Sequence, residues 1–173
     1  MAGMDFTSAL AQLLTKPALR ETFLSDPEMA ADLINLRAAD RTLFVSLPTA
    51  QLQRQAQLLI TKRMRAVFEQ VPITVKSLGA DAAGYFHEYA TQYWPHTYNR
   101  HHVDAMHFCQ YLYEHKLPCN QSEYNRSRFR CTGQRLRFCL AKDAMMNGKA
   151  RWALQVLYQS KGKQAEWYFY FKV

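Results

Sequence analysis

The stretches RLRFCLA at 135–141, RWALQVLY at 151–158 and WYFYFK at 167–172 decide the fold class. In the first, Leu136, Phe138 and Leu140 alternate with Arg135, Arg137 and Cys139. In the second, Trp152, Leu154, Val156 and Tyr158 alternate with Arg151, Ala153, Gln155 and Leu157, and in the third Trp167, Phe169 and Phe171 alternate with Tyr168, Tyr170 and Lys172. A period of two is that of a β-strand, whose successive side chains leave on opposite faces. Asn147-Gly148 and Lys161-Gly162 fall between the runs, and such pairs suit the left-handed positions of tight hairpins. The expectation is a three-stranded antiparallel meander with one face on helices, and Arg128–Thr132 is admitted as a fourth strand ahead of it.

Upstream the period is helical. Phe6, Leu10, Leu13 and Leu14 precede the break at Lys16-Pro17, and Leu19, Phe23 and Leu24 follow it. Asp26-Pro27 reads as an N-cap with proline at the first helical position, and Ala38 to Leu47 as another short helix. From Pro48 a long helix carries Leu52, Ala56, Leu59, Ile60, Met64, Val67 and Phe68 on one side and stops at Pro72. A short helix to Leu78 closes at Gly79, and Asp81 reads as the cap of a helix with the stripe Tyr85, Phe86, Tyr89 and Tyr93. A further helix runs from near Asn99 to about His115, and the polar stretch 116–126, KLPCNQSEYNR, reads as a connector. The fold class expected is α+β: a helical bundle over residues 1–118, then a basic β-meander over 119–173 packed on the helices.

Composition narrows the function. With 49% hydrophobic and 13% aromatic residues the chain has enough apolar surface to offset the entropy of ordering. The N-terminal stretch has no basic start or continuous apolar run, and no segment has membrane-span length. Cys109, Cys119, Cys131 and Cys139 contain no Cys-x-x-Cys pair, so reduced thiols and a cytoplasmic location are expected. The net charge of +8 is concentrated at one end: residues 126–173 hold eleven Lys and Arg against Asp143 and Glu166. Such asymmetry suits an anionic partner, whether an acidic peptide or nucleic acid.

No Gly-x-Ser-x-Gly elbow, phosphate-binding glycine loop or dinucleotide fingerprint occurs. His107 and Cys109 fall on different sides of a helix, and His101, Asp104 and His107 have no second cluster to complete a tetrahedral metal site. No catalytic, metal or cofactor site is assigned. Arg126, Arg128 and Arg130, then Arg135 and Arg137, recur at strand spacing, with Arg151 on the next run. Guanidinium groups pair bidentately with carboxylates or phosphates, so these six arginines are the candidate peptide- or anion-binding residues.

From Leu58 onward, Leu59-x-x-Lys62-Arg63, Val71-Pro72, Leu78-Gly79, Phe86-x-x-Tyr89-Ala90, Trp94-Pro95 and Asp104-Ala105-x-x-Phe108 resemble a bacterial family of helical proteins with a small C-terminal sheet. More distantly, the order of elements resembles partner subunits of multinuclear non-heme iron oxidases of the methanobactin-maturation type, and a domain described as DNA-binding that is encoded beside such oxidases. That resemblance implies a non-enzymatic subunit that recognises a ribosomally made precursor peptide and docks it, as a heterodimer, on an iron-dependent oxidase carrying the metal. The alternative is a DNA- or RNA-binding regulatory protein using the basic C-terminal sheet.

Overall fold

Prolines and caps set the helix boundaries. In the computed structural model, which describes residues 3–95, 100–160 and 163–171, Asp5 accepts a hydrogen bond from the Ser8 N–H to start α1 (Phe6–Thr15). Pro17 opens α2 (Pro17–Ser25), and Pro27 opens α3 (Pro27–Leu33), whose cap Asp26 accepts from the Met29 N–H. Proline suits these first positions because its missing N–H would have no partner there. After α4 (Ala38–Val45) comes α5 (Thr49–Phe68), the longest helix described. It is followed by α6 (Pro72–Leu78), a 3-10 turn at Gly79–Asp81, α7 (Ala82–Gln92) and α8 (Arg100–Glu114). Asp81 precedes α7 as expected, but its side chain makes no cap hydrogen bond. The expected helix start at Asn99 lies outside the described residues. No helix among those described is long and apolar enough to cross a membrane.

The first major departure from sequence expectation is α9 (Gln121–Thr132). The polar connector gives way to a helix at Gln121, and Arg128–Thr132 is its last part, not a fourth strand. Asn120 caps it by accepting from the Glu123 N–H, and Gly133 ends it in the left-handed conformation (φ 64°, ψ 8°). The sheet then has three strands, β1 (Leu136–Met146), β2 (Lys149–Ser160) and β3 (Lys163–Tyr170), antiparallel in that order. The fold is therefore α+β. Asn147 (φ 51°) and Gly148 (φ 76°) make the two-residue turn between Met146 and Lys149, as their sequence demands. The expected turn at Lys161-Gly162 lies outside the described residues.

The chain forms two compact units, Met1–Lys62 and Arg63–Val173. Periodicity places a change at 118/119, where helical spacing ceases to be apparent, whereas compactness divides the chain within α5. In the first unit Ala9, Leu13, Phe23, Ala30, Ala31 and Phe44 are fully buried, with the Phe23 and Phe44 rings edge to face at 5.1 Å. The second unit has an aromatic centre: Phe86 lies 5.9 Å from Phe68, 5.3 Å from Phe108 and 5.5 Å from Tyr89 between ring centroids. The stripe Phe86 and Tyr89 thus packs as core.

The sheet buries its less apolar side. Ala141, Ala144, Ala153, Gln155 and Leu157 are buried, whereas Leu136, Phe138, Leu140, Trp152, Trp167 and Phe169 are 47–62% exposed. Small residues let α9 approach closely. Between Ala141 and Ala144 a bulge interrupts the β1–β2 register, and there the Asp143 carboxylate accepts from the Gln121 N–H at 2.7 Å while its carbonyl accepts from the Asn120 side chain at 3.0 Å. The bulge fastens the start of α9 to β1.

Candidate functional site

α9 is a helix with a polar buried side. Ser122, Glu123, Asn125, Ser127 and Phe129 are buried, and of these only Phe129 is a large apolar residue. Such a face is stable when most of its polar groups find partners, and among those described the Ser122 hydroxyl is the exception on α9. The buried Glu123 carboxylate accepts from the Ile73 and Thr74 N–H groups at 2.7 and 2.8 Å. Burial raises its pKa, although those two N–H groups act the other way. Asn125 donates to the Gln155 side-chain oxygen at 3.0 Å, and the Gln155 amide donates to the Ser122 carbonyl at 2.9 Å and to Glu166 at 2.6 Å.

Glu166 on β3 is the hub of this network. Arg126 donates to it through Nε at 2.7 Å and Nη2 at 3.2 Å, and the Tyr168 hydroxyl donates to it as well. Burial would raise the Glu166 pKa, but Arg126 and Tyr168 outweigh it and hold the carboxyl below its usual range. Burial likewise works against the Arg126 charge, and Glu166 more than offsets it. Tyr168 is pushed up to about 12 by burial and by the neighbouring carboxylate.

Arg130 lies one turn along from Arg126 and has different company. It donates to the Gln164 side chain at 2.7 Å and to the Gln70 side chain at 2.6 Å, both neutral amides. No carboxylate lies within ion-pair distance of it among the described residues. Its pKa is lowered, first by burial and then by Arg126. Arg126, Phe129, Arg130, Leu157, Gln164 and Glu166 line a cleft of about 290 Å3 between α9 and β3.

The six candidate peptide- or anion-binding arginines are dispersed. Because 121–132 is a helix, Arg126 and Arg130 share a side four residues apart, while Arg128 stands about 200° round from Arg126 and is exposed. Arg135 is exposed between α9 and β1, Arg137 is partly buried on the helix-facing side of β1, and Arg151 is exposed near the start of β2. Of the six, the structure brings together Arg126 and Arg130 and spends most of the charge of the first on Glu166. Gln155, Gln164, Glu166 and Tyr168 belong to the same cluster and were not singled out in the sequence, where only the alternation of β3 hints at their common side.

β3 also offers main-chain groups. Phe171 donates its N–H to the Trp152 carbonyl, so by strand alternation the N–H and C=O groups of Gln164, Glu166, Tyr168 and Tyr170 point away from β2. No partner for them occurs among the described residues. On the opposite edge, α9 covers part of β1: the Leu140 and Asp143 carbonyls accept from the Asn125 and Asn120 side chains. The β3 edge is the more available of the two.

The histidine-bearing helix holds no such cluster. Asp104 is taken by Arg63 and Tyr89, and the His107 ring lies against Tyr93 at 4.4 Å. Among the described residues no three His, Cys, Asp or Glu side chains come together as metal ligands would. Comparisons of the chain with models of protein families, with curated proteins and with solved structures return no match.

Proposed function

We propose that the protein is a non-enzymatic docking subunit in which an extended acidic peptide adds to β3 as a further strand and Arg130 pairs with one of its carboxylates. The observation that carries this reading is the β3 edge, with outward main-chain groups at four residues beside an arginine whose described partners are neutral. Strand addition uses main-chain hydrogen bonds for affinity and neighbouring side chains for register. A peptide carboxylate would replace neutral amides as the partner of Arg130, and charge-assisted bonds are the stronger ones. In line with the family resemblance, the peptide would be a ribosomally made precursor and the second partner an iron-dependent oxidase that performs the chemistry.

A synthetic peptide alternating valine and glutamate tests this, against the same peptide with prolines at two alternate positions and equal charge. The first is expected to bind and to slow amide exchange at Tyr168 and Tyr170; the second cannot supply the main-chain donors and is expected not to bind. Arg130→Ala should weaken binding about tenfold, the loss of one charge-assisted pair, and Arg128→Ala should leave it unchanged. Equal binding of both peptides, or binding of single-stranded oligonucleotide with no affinity for either peptide, overturns the reading.

A further inference from the structure

The sheet has a second surface, perpendicular to that edge, which no described element covers. Phe138 is 62% exposed, Phe169 60%, Trp167 49% and Trp152 47%. They form one surface because the register places Phe138 beside Val156 and Trp167, and Leu140 beside Leu154 and Phe169. No arginine or acidic side chain stands among them; the nearest cation, Lys142, lies with its ammonium 5.2 Å above the Trp152 ring. With six aromatics and two leucines about half exposed, the patch offers about 700–800 Å2 of apolar surface. That exceeds the ~300–600 Å2 of the largest patch on a typical soluble monomer, and equals the ~800 Å2 that one partner contributes to a standard interface.

The size and chemistry of the patch select its occupant. Three strands span about 14 Å, wider than a single added strand or one helix covers. A second three-stranded sheet covers it fully, since two sheets pack face to face about 10 Å apart with strands within about 30° of parallel. A chain of net charge +8 would be repelled by its own copy wherever basic surfaces met, yet this face lacks the arginines that surround it. A face that is apolar apart from Lys142 over the Trp152 ring can meet its own copy, as a two-fold contact requires, and homodimer interfaces are the more apolar class. We propose that the protein is a homodimer whose two C-terminal sheets stack through this face, with the two-fold axis passing close to the central strand β2. The contact leaves the β3 edge open, because that edge's hydrogen-bonding groups lie in the plane of the sheet.

Sedimentation of the full chain without any peptide tests the dimer separately from the docking function. The parent is expected at twice its 20.2 kDa mass, with an association that added salt does not weaken. Phe138→Lys and Phe169→Lys, made singly and together, should raise the dissociation constant about tenfold or more for each change while the circular dichroism stays that of the parent. Trp167→Ala serves as a milder variant of the same surface, expected to weaken association in the same direction. A parent that stays monomeric at every concentration, including one that instead binds vesicles or single-stranded oligonucleotide through this face, overturns the proposal. So does a dimer that folded Phe138 and Phe169 variants leave intact.

Discussion

Asp104 is 1% exposed and ionically paired: Arg63 reaches its two oxygens at 2.8 and 2.9 Å, Tyr89 donates to it at 2.6 Å, and the Trp94 ring lies 4.5 Å from the guanidinium. The pair's net worth is small once desolvation is counted, but removing one member strands the other. Asp104→Ala should therefore cost about 3–5 kcal/mol, read as a lower urea midpoint with unchanged slope. Glu166 gives a pH dependence. Its folded pKa lies below the usual 4.5, so its contribution to stability is present above that value and is lost as the pH falls through the folded pKa. Glu123, raised by burial, works in the opposite sense. Glu166→Gln should thus flatten the acid side of the stability profile, and a variant whose acid unfolding matches the parent's would show that the Arg126 pair contributes nothing there.

α9 shows where sequence reading and packing part company. Its boundaries were written in the chain, since Asn120 precedes Glu123 by three residues and Gly133 follows the last turn. They were masked because a helix with a polar buried side has no apolar stripe, and Arg126, Arg128 and Arg130 alternate as a strand would. Asn120 both caps α9 and binds the β1 bulge, so Asn120→Ala should lower stability by about 1–2 kcal/mol, measurable as a fall in Tm. The proline-led helices and the Asn147-Gly148 turn were legible because those residues permit few backbone conformations. The covered side of the sheet was not. Alternation reveals two faces but not which one is buried, and here Asn125, Gln155 and Glu166 pair across α9, β2 and β3 in ways that hydropathy does not register. The candidate site suffers for the same reason: five of its arginines recur at strand spacing, and the helix sets Arg128 apart from Arg126 and Arg130.

Charge divides with the compact units. Residues 1–62 carry six basic and six acidic side chains, so Arg63–Val173 holds the whole net +8. A uniform basic track would neutralise many phosphates at once, and affinity for duplex DNA would then fall with the logarithm of salt at a slope of about −0.9 for each contact. The six candidate arginines do not form one row. Arg126 is paired with Glu166, Arg130 sits in a cleft between amides, and the exposed Arg128, Arg135 and Arg151 lie on different elements. Of the six, Arg128, Arg135 and Arg151 are the exposed ones, free to meet phosphates. Titrating labelled duplex DNA across salt concentrations should therefore give a slope of about −2 to −3, corresponding to two or three phosphates, with binding negligible at physiological salt. Arg128→Ala should reduce that slope by about 1 at most, the share of one phosphate contact. A slope of about −6 or steeper would require a continuous basic surface, and would move the anion-binding role from the β3 edge to nucleic acid.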